Sequence, residues 1–181
     1  MDAAFKIAQE SGFSAITARG VAHRLGCSVG PLYANFATMD DLVEAVVKRA
    51  FDLSDRMLAK QTGSDLFENI GRASLEFARD YPVLLRELAL QPSRYRSLYE
   101  EAEEERMVRV IGENSLMSDW TTDERRRLFF KLRVFQTGLL TMVSSDRLPS
   151  WLDDQTAQEL LLEVGEDLFR IESLKREERK G

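Results

Sequence analysis

Between Gly26 and Phe36 the chain reads GCSVGPLYANF, and few folds can use such a segment. It is too short to hold a helix unaided, because nucleating the first turn costs more than a few residues return. Yet Leu32 and Phe36 stand four apart, as on one helix face, and Pro31 is tolerated in a first turn, where amides lack intrahelical partners. With Ser28 as N-cap, the segment predicts a short helix that exists only by docking on neighbours. The segment before it, ITARGVAHRLG, predicts another helix. Thr17 is a natural N-cap, Val21, Ala22 and Leu25 share a face, and Gly26 is a stop. Two short helices joined by a tight glycine turn have helix-turn-helix geometry. In that motif the second helix enters the DNA major groove, N-terminal end first.

The rest of the chain predicts helices throughout. Four prolines in 181 residues, and recurrent Ala, Leu, Glu, Arg and Lys, favour an all-α protein. A first helix over 2–12 buries Ala4, Ile7 and Ala8 and starts at Met1, without room for a cap or arm. Thr38 with Asp41 has capping-box spacing and opens a long fourth helix ending at Gly63. Further helices are expected over 64–80, 82–90, 94–112 and 121–143. Thr156 with Glu159 is expected to cap a last helix that runs to about Ser173, followed by a frayed KREERK tail. The expected architecture has about nine helices. A three-helix helix-turn-helix domain over 1–47 joins, through the fourth helix, a C-terminal bundle over 48–181 for ligand binding and dimerisation.

Charge and rare residues narrow the function. The net charge is −6, but no acid occurs from Ser11 to Ala37, where Arg19 and Arg24 lie. An acidic protein with one non-acidic face still accommodates a polyanion. One histidine, His23, and one cysteine, Cys27, exclude a disulfide and make no zinc site, so neither metal nor other cofactor is expected. Cys27 is expected as a small buried hydrophobe and His23 as a surface residue. No apolar run spans a bilayer and no signal peptide is visible, which predicts a cytoplasmic protein. An enzyme on this bundle would be restricted to carboxylate chemistry, so no catalytic residues are assigned.

The stretch AAFKIAQESGFSAITARGVAHRLGCSVGPLYANFATMDDLVEAVV resembles the N-terminal domain of the TetR family of bacterial transcriptional regulators. The matching positions are Ala4, Gly12-Phe13 and Thr17, then Val21-Ala22 with Gly26-Cys27-Ser28, then Leu32-Tyr33-Ala34-Asn35-Phe36. The resemblance implies a homodimeric regulator of double-stranded DNA whose C-terminal helices hold a pocket for a small-molecule effector. It places Thr17 and Tyr33 at phosphates and Arg19 at a base or phosphate, with Ser28, Val29, Gly30, Pro31 and Asn35 along the groove. Where the family often has lysine at the start of helix four, this chain has Met39.

In the C-terminal half, Phe67, Phe77, Tyr81, Tyr95, Tyr99, Met107, Trp120 and Phe135 are the candidates for a pocket, since aromatic and methionine side chains suit an apolar or flat ligand. Phe130, Val134, Gly138 and Met142 recur at helical spacing, opposite a second stripe of Leu128, Leu132, Phe135 and Leu139. Leu161, Val164 and Leu168 recur on the last helix. Such helices carry more apolar circumference than one core needs, which predicts a dimer interface. The alternative reading is a helical partner-binding or scaffold protein that has lost DNA binding.

Overall fold

The computed structural model describes residues 1–63, 66–90, 94–113 and 116–180; of the side chains at 66, 94–103 and 180 nothing is described. The described residues form nine α-helices and one 3₁₀ turn, with no strand. In chain order these are α1 (Asp2–Ser11), the 3₁₀ turn (Phe13–Ala15), α2 (Ala18–Leu25), α3 (Gly30–Asn35), α4 (Met39–Ala59), α5 (Leu66–Asp80), α6 (Pro82–Leu90), α7 (Arg94–Glu113), α8 (Thr122–Ser144) and α9 (Asp154–Lys180). The chain forms two compact units, Met1–Tyr95 and Arg96–Gly181. The boundary expected at 47/48 lies inside the continuous helix α4. No helix among the described residues is long and apolar enough to cross a membrane.

The first unit is built on alanine. Ala3, Ala4, Phe5 and Ala8 of α1 are buried, and small residues there let α1 approach its neighbours closely. Facing positions come from Val21 and Ala22 of α2 and from Leu42, Val46, Val47 and Ala50 of α4, all buried. Arg49 of α4 bonds Asp2 at 2.5 Å and lies 4.5 Å from the centre of the Phe5 ring, so one side chain joins α4 to α1 by charge and by cation–π contact. That guanidinium holds the Asp2 carboxyl below the usual carboxylate range. Thr38 and Asp41 form the expected capping box at 3.1 and 2.8 Å. Helix α6 packs on α1 within this unit. Its Glu87 accepts a hydrogen bond from the Phe13 amide at 3.1 Å. Gly12 sits at φ 85°, and a Cβ there would come within 2.8 Å of the Glu87 carboxyl group.

In the second unit, Thr121 and Glu124 form another capping box, and Leu128, Leu139 and Leu140 of α8 are buried. The backbone amide of Thr121, with its hydroxyl and Arg176, holds the Glu124 carboxyl below its ordinary value. Trp120 stacks on Phe169 with ring centres 5.8 Å apart. Glu172 of α9 is buried and ion-paired with Lys131 of α8, and with Lys175 at 3.4 Å. These bonds, that to Lys131 foremost, lower its pKa despite burial.

Several expectations change. Helix α9 is capped by Asp153, not Thr156: the Asp153 carboxylate accepts from the Thr156 amide at 2.8 Å and from its hydroxyl at 2.7 Å. This pulls the Asp153 pKa down. The KREERK segment is helical to Lys180, because ion pairs such as Lys175–Glu172 and Arg176–Asp119 hold it along the helix and to its surroundings. Helix α4 ends at Ala59, four residues short of Gly63.

Candidate nucleic-acid interface

Helix α2 begins at Thr17, whose extended backbone frees its hydroxyl oxygen to accept the Gly20 amide at 3.1 Å. Gly20 suits that cap because a Cβ there would lie 3.0 Å from the same oxygen. Arg19 is exposed on the first turn. Arg24, the other cation of the segment, bonds Glu10 at 2.6 Å, so its charge is partly taken up within the domain.

The turn is set by the backbone. Gly26 lies in the left-handed region at φ 66°, ψ 28°. Its amide bonds His23 O, and the Cys27 amide bonds Ala22 O, both at 3.1 Å. Together they make a Schellman motif, which satisfies the carbonyls at the end of α2 and reverses the chain. That turn takes the Cys27 amide inward and leaves its side chain exposed, so Cys27 is not the buried residue expected. Leu25, the last residue of α2, stands 57% exposed rather than in the core with Val21.

Helix α3 starts at Gly30 with Val29, not Ser28, in the N-cap position, and neither side chain caps it. Pro31 fits its first turn. Leu32 and Phe36 are half-buried and hold the helix on the domain. Ser28, Val29, Gly30, Pro31, Tyr33 and Asn35 are all exposed, with Val29 at 38% and Tyr33 at 51%. The Asn35 amide group donates to Pro31 O at 2.8 Å and so folds back on its own helix. Thr17, Arg19 and these six residues are therefore all exposed on the first unit. The contact of Glu87 with the Phe13 amide is one that the sequence does not mark. The two residues are 74 positions apart, and no local pattern reveals such a contact.

The other candidates divide between the two units. In the first, Phe77 is buried, Phe67 and Tyr81 are half-buried, and the rings of Phe77 and Tyr81 are 5.5 Å apart. In the second, Met107 and Trp120 are buried and Phe135 is half-buried. The side chains of Tyr95 and Tyr99 lie outside the described residues. A small cleft of about 50 Å³ beside Trp120 is lined by Asp123, Glu124, Arg127, Glu172, Arg176 and Arg179. It is charged and far smaller than the roughly 300–1,000 Å³ of small-molecule sites. On α8, Phe130, Val134 and Met142 are 66%, 58% and 41% exposed, and a Cβ on Gly138 would meet open space. Leu161, Val164 and Leu168 of α9 are half-buried.

This geometry defines a class: a helical protein with an N-terminal helix-turn-helix domain. Residues 1–46 match the family model described as bacterial regulatory proteins, tetR family. The fold is similar to the crystal structure of a TetR-like transcriptional regulator from Rhodococcus sp. RHA1, with a TM-score of 0.69 and 16% identity over 91% of this chain and 90% of that one. No curated protein matches the chain. The likeness to the tetR family of bacterial regulatory proteins thus rests on the first 46 residues, and the likeness to a TetR-like regulator on the fold.

Proposed function

We propose that the chain is a ligand-responsive repressor, bound as a homodimer to a palindromic operator and released by a small molecule. The observation that carries this reading is the exposed α2–α3 face, from Thr17 to Asn35, on a stretch without acids in a chain of net charge −6. In this reading Thr17 and Tyr33 bond phosphates, Arg19 reaches a phosphate or base edge, and residues 28–31 with Asn35 lie along the major groove. Residues 1–47 serve DNA, and residues 48–181 serve the effector and the partner copy. No catalytic role and no cofactor belong to this function, and its place is the cytoplasm.

Exposed Phe130, Val134 and Met142 support pairing through α8, with Gly138 letting a partner helix come close. Leu161, Val164 and Leu168 of α9 complete that surface. Two recognition helices would then meet half-sites about 34 Å apart. The effector would be held by aromatic and methionine candidates within one unit, Phe67, Phe77 and Tyr81 in the first or Met107, Trp120 and Phe135 in the second. It releases DNA to the extent that it binds one conformation better than the other.

Fluorescence anisotropy on duplex DNA flanking the protein's own coding region, at several salt concentrations, tests the reading. Saturable, salt-dependent binding that a pocket ligand weakens supports it. Absence of binding to any duplex at low salt would leave the partner-binding or scaffold reading in its place.

A further inference from the structure

The recognition surface is unusual in what it lacks. Hydrogen-bond readout of bases in the major groove uses Arg or Lys for guanine, Asn or Gln for adenine, and Asp or Glu for cytosine. From Gly26 to Ala37 the chain contains none of these except Asn35. The Asn35 amide group gives one of its two hydrogens to Pro31 O at 2.8 Å, which turns that side chain back along its own helix. Beside Ser28, Tyr33 and Asn35, α3 and its N-cap expose three apolar side chains, Val29, Pro31 and Ala34. The one groove feature that complements an apolar side chain is the C5-methyl of thymine. The absence of acid between Glu10 and Asp40 removes the charge that would repel a duplex brought that close.

Resting on the regulator reading above, we infer that α3 selects its operator by thymine methyls, packed against Val29, Pro31 and Ala34. Arg19 and Tyr33 then anchor the domain on phosphate, and Ser28 supplies a hydroxyl that does not discriminate strongly between bases. Recognition of this kind is modest at each position, about fourfold for each methyl buried. The operator half-site read by α3 is therefore rich in thymine and tolerant where no methyl is met.

The full chain is used to select duplexes from a random-sequence DNA pool. In the selected duplex each thymine is then replaced singly by deoxyuridine, which removes the methyl and keeps every hydrogen-bonding group. The expected result is a loss of about fourfold in affinity at one or more half-site thymines. Val29→Ala, Pro31→Ala or Ala34→Gly should erase that loss at a particular thymine. The DNA change leaves the protein untouched, so misfolding does not enter the first measurement. Tight binding that no deoxyuridine alters overturns the methyl inference and leaves the regulator reading standing. A deoxyuridine loss that survives in all three variants overturns the assignment to these residues. Recovery of no duplex overturns the regulator reading and this inference together.

Discussion

At the scale of single residues, the proposed interface has its anchors in exposed side chains and its geometry in one glycine turn. Tyr33 holds a hydroxyl on an exposed face, and a single neutral hydrogen bond contributes about 0.5–1.5 kcal/mol. Tyr33→Phe should weaken DNA binding by roughly two- to tenfold while leaving thermal stability unchanged, read by anisotropy and by a melting curve. Arg19→Ala should do more than weaken binding. It should flatten the plot of log affinity against log salt by about 0.9 if Arg19 meets a phosphate. An unchanged slope with reduced affinity would place Arg19 at a base edge instead. Gly26 is a different kind of residue. A Cβ there meets nothing within 4 Å, so Gly26→Ala tests backbone strain alone. The left-handed φ of 66° costs about 1–2 kcal/mol for a residue with a side chain. Asparagine, which tolerates this region better, should recover part of the lost melting temperature. Thr17 and Gly26 were legible in the sequence because a cap and a left-handed stop are local chemistry. Leu25 and Cys27 were not. Both satisfy the apolar pattern, and a pattern does not say where the turn carries the chain away from its cover.

At the scale of elements, the same contrast holds between local and distant partners. The boxes at Thr38 and Thr121 formed as their spacing predicts, since both partners lie within one turn. Thr156 had the same spacing to Glu159, yet Asp153 stands three residues earlier and takes the Thr156 amide itself. Two overlapping cap signals compete, and the carboxylate, a charge-assisted acceptor at the positive end of the helix, prevails. Glu87 shows what no spacing reveals. It joins α6 to the turn that precedes Thr17, so α6 bears on the entry to α2. Glu87→Ala leaves the partly buried Phe13 amide without its acceptor, at about 1–3 kcal/mol. Glu87→Gln keeps an acceptor oxygen and should restore most of the lost stability. Both comparisons need only chemical denaturation. Glu172 adds a pH dependence. Lys131 and Lys175 hold its carboxylate charged in the fold, and its folded pKa is lowered. The unfolded chain therefore takes up that proton first as pH falls. Its stabilisation is present above the ordinary glutamate range and is lost as pH drops through the lowered folded value. Glu172→Gln should thus flatten the acid limb of the melting temperature below the ordinary glutamate range, and cost stability at pH 7.

At the scale of the whole molecule, an exposed row of large apolar side chains has to be reconciled with life in water. Scattered apolar residues on a surface need no explanation, but Phe130, Val134 and Met142 stand in one row on α8, with Gly138 completing the four-residue repeat. The buried face of the same helix, Leu128 and Leu139, already serves the chain's own core. Helix α8 therefore has two apolar faces, and only one of them has a use within a single chain. The sequence made this visible because the two stripes are both periodic. It could not show which face turns inward, since their apolarity is alike. A two-fold partner presenting the same stripe would cover both copies at once, and Gly138 would let the two helices come close. Val134→Asp places a charge in the middle of that row, where burial without a counter-ion is costly. Because Val134 is exposed in the single chain, the variant should fold normally by circular dichroism. It should sediment as one chain where the wild type sediments as two. Its affinity for a palindromic duplex should fall to that for an isolated half-site. A wild-type protein that sediments as a single chain at micromolar concentration would remove the two-fold assembly, and with it the reason for a palindrome.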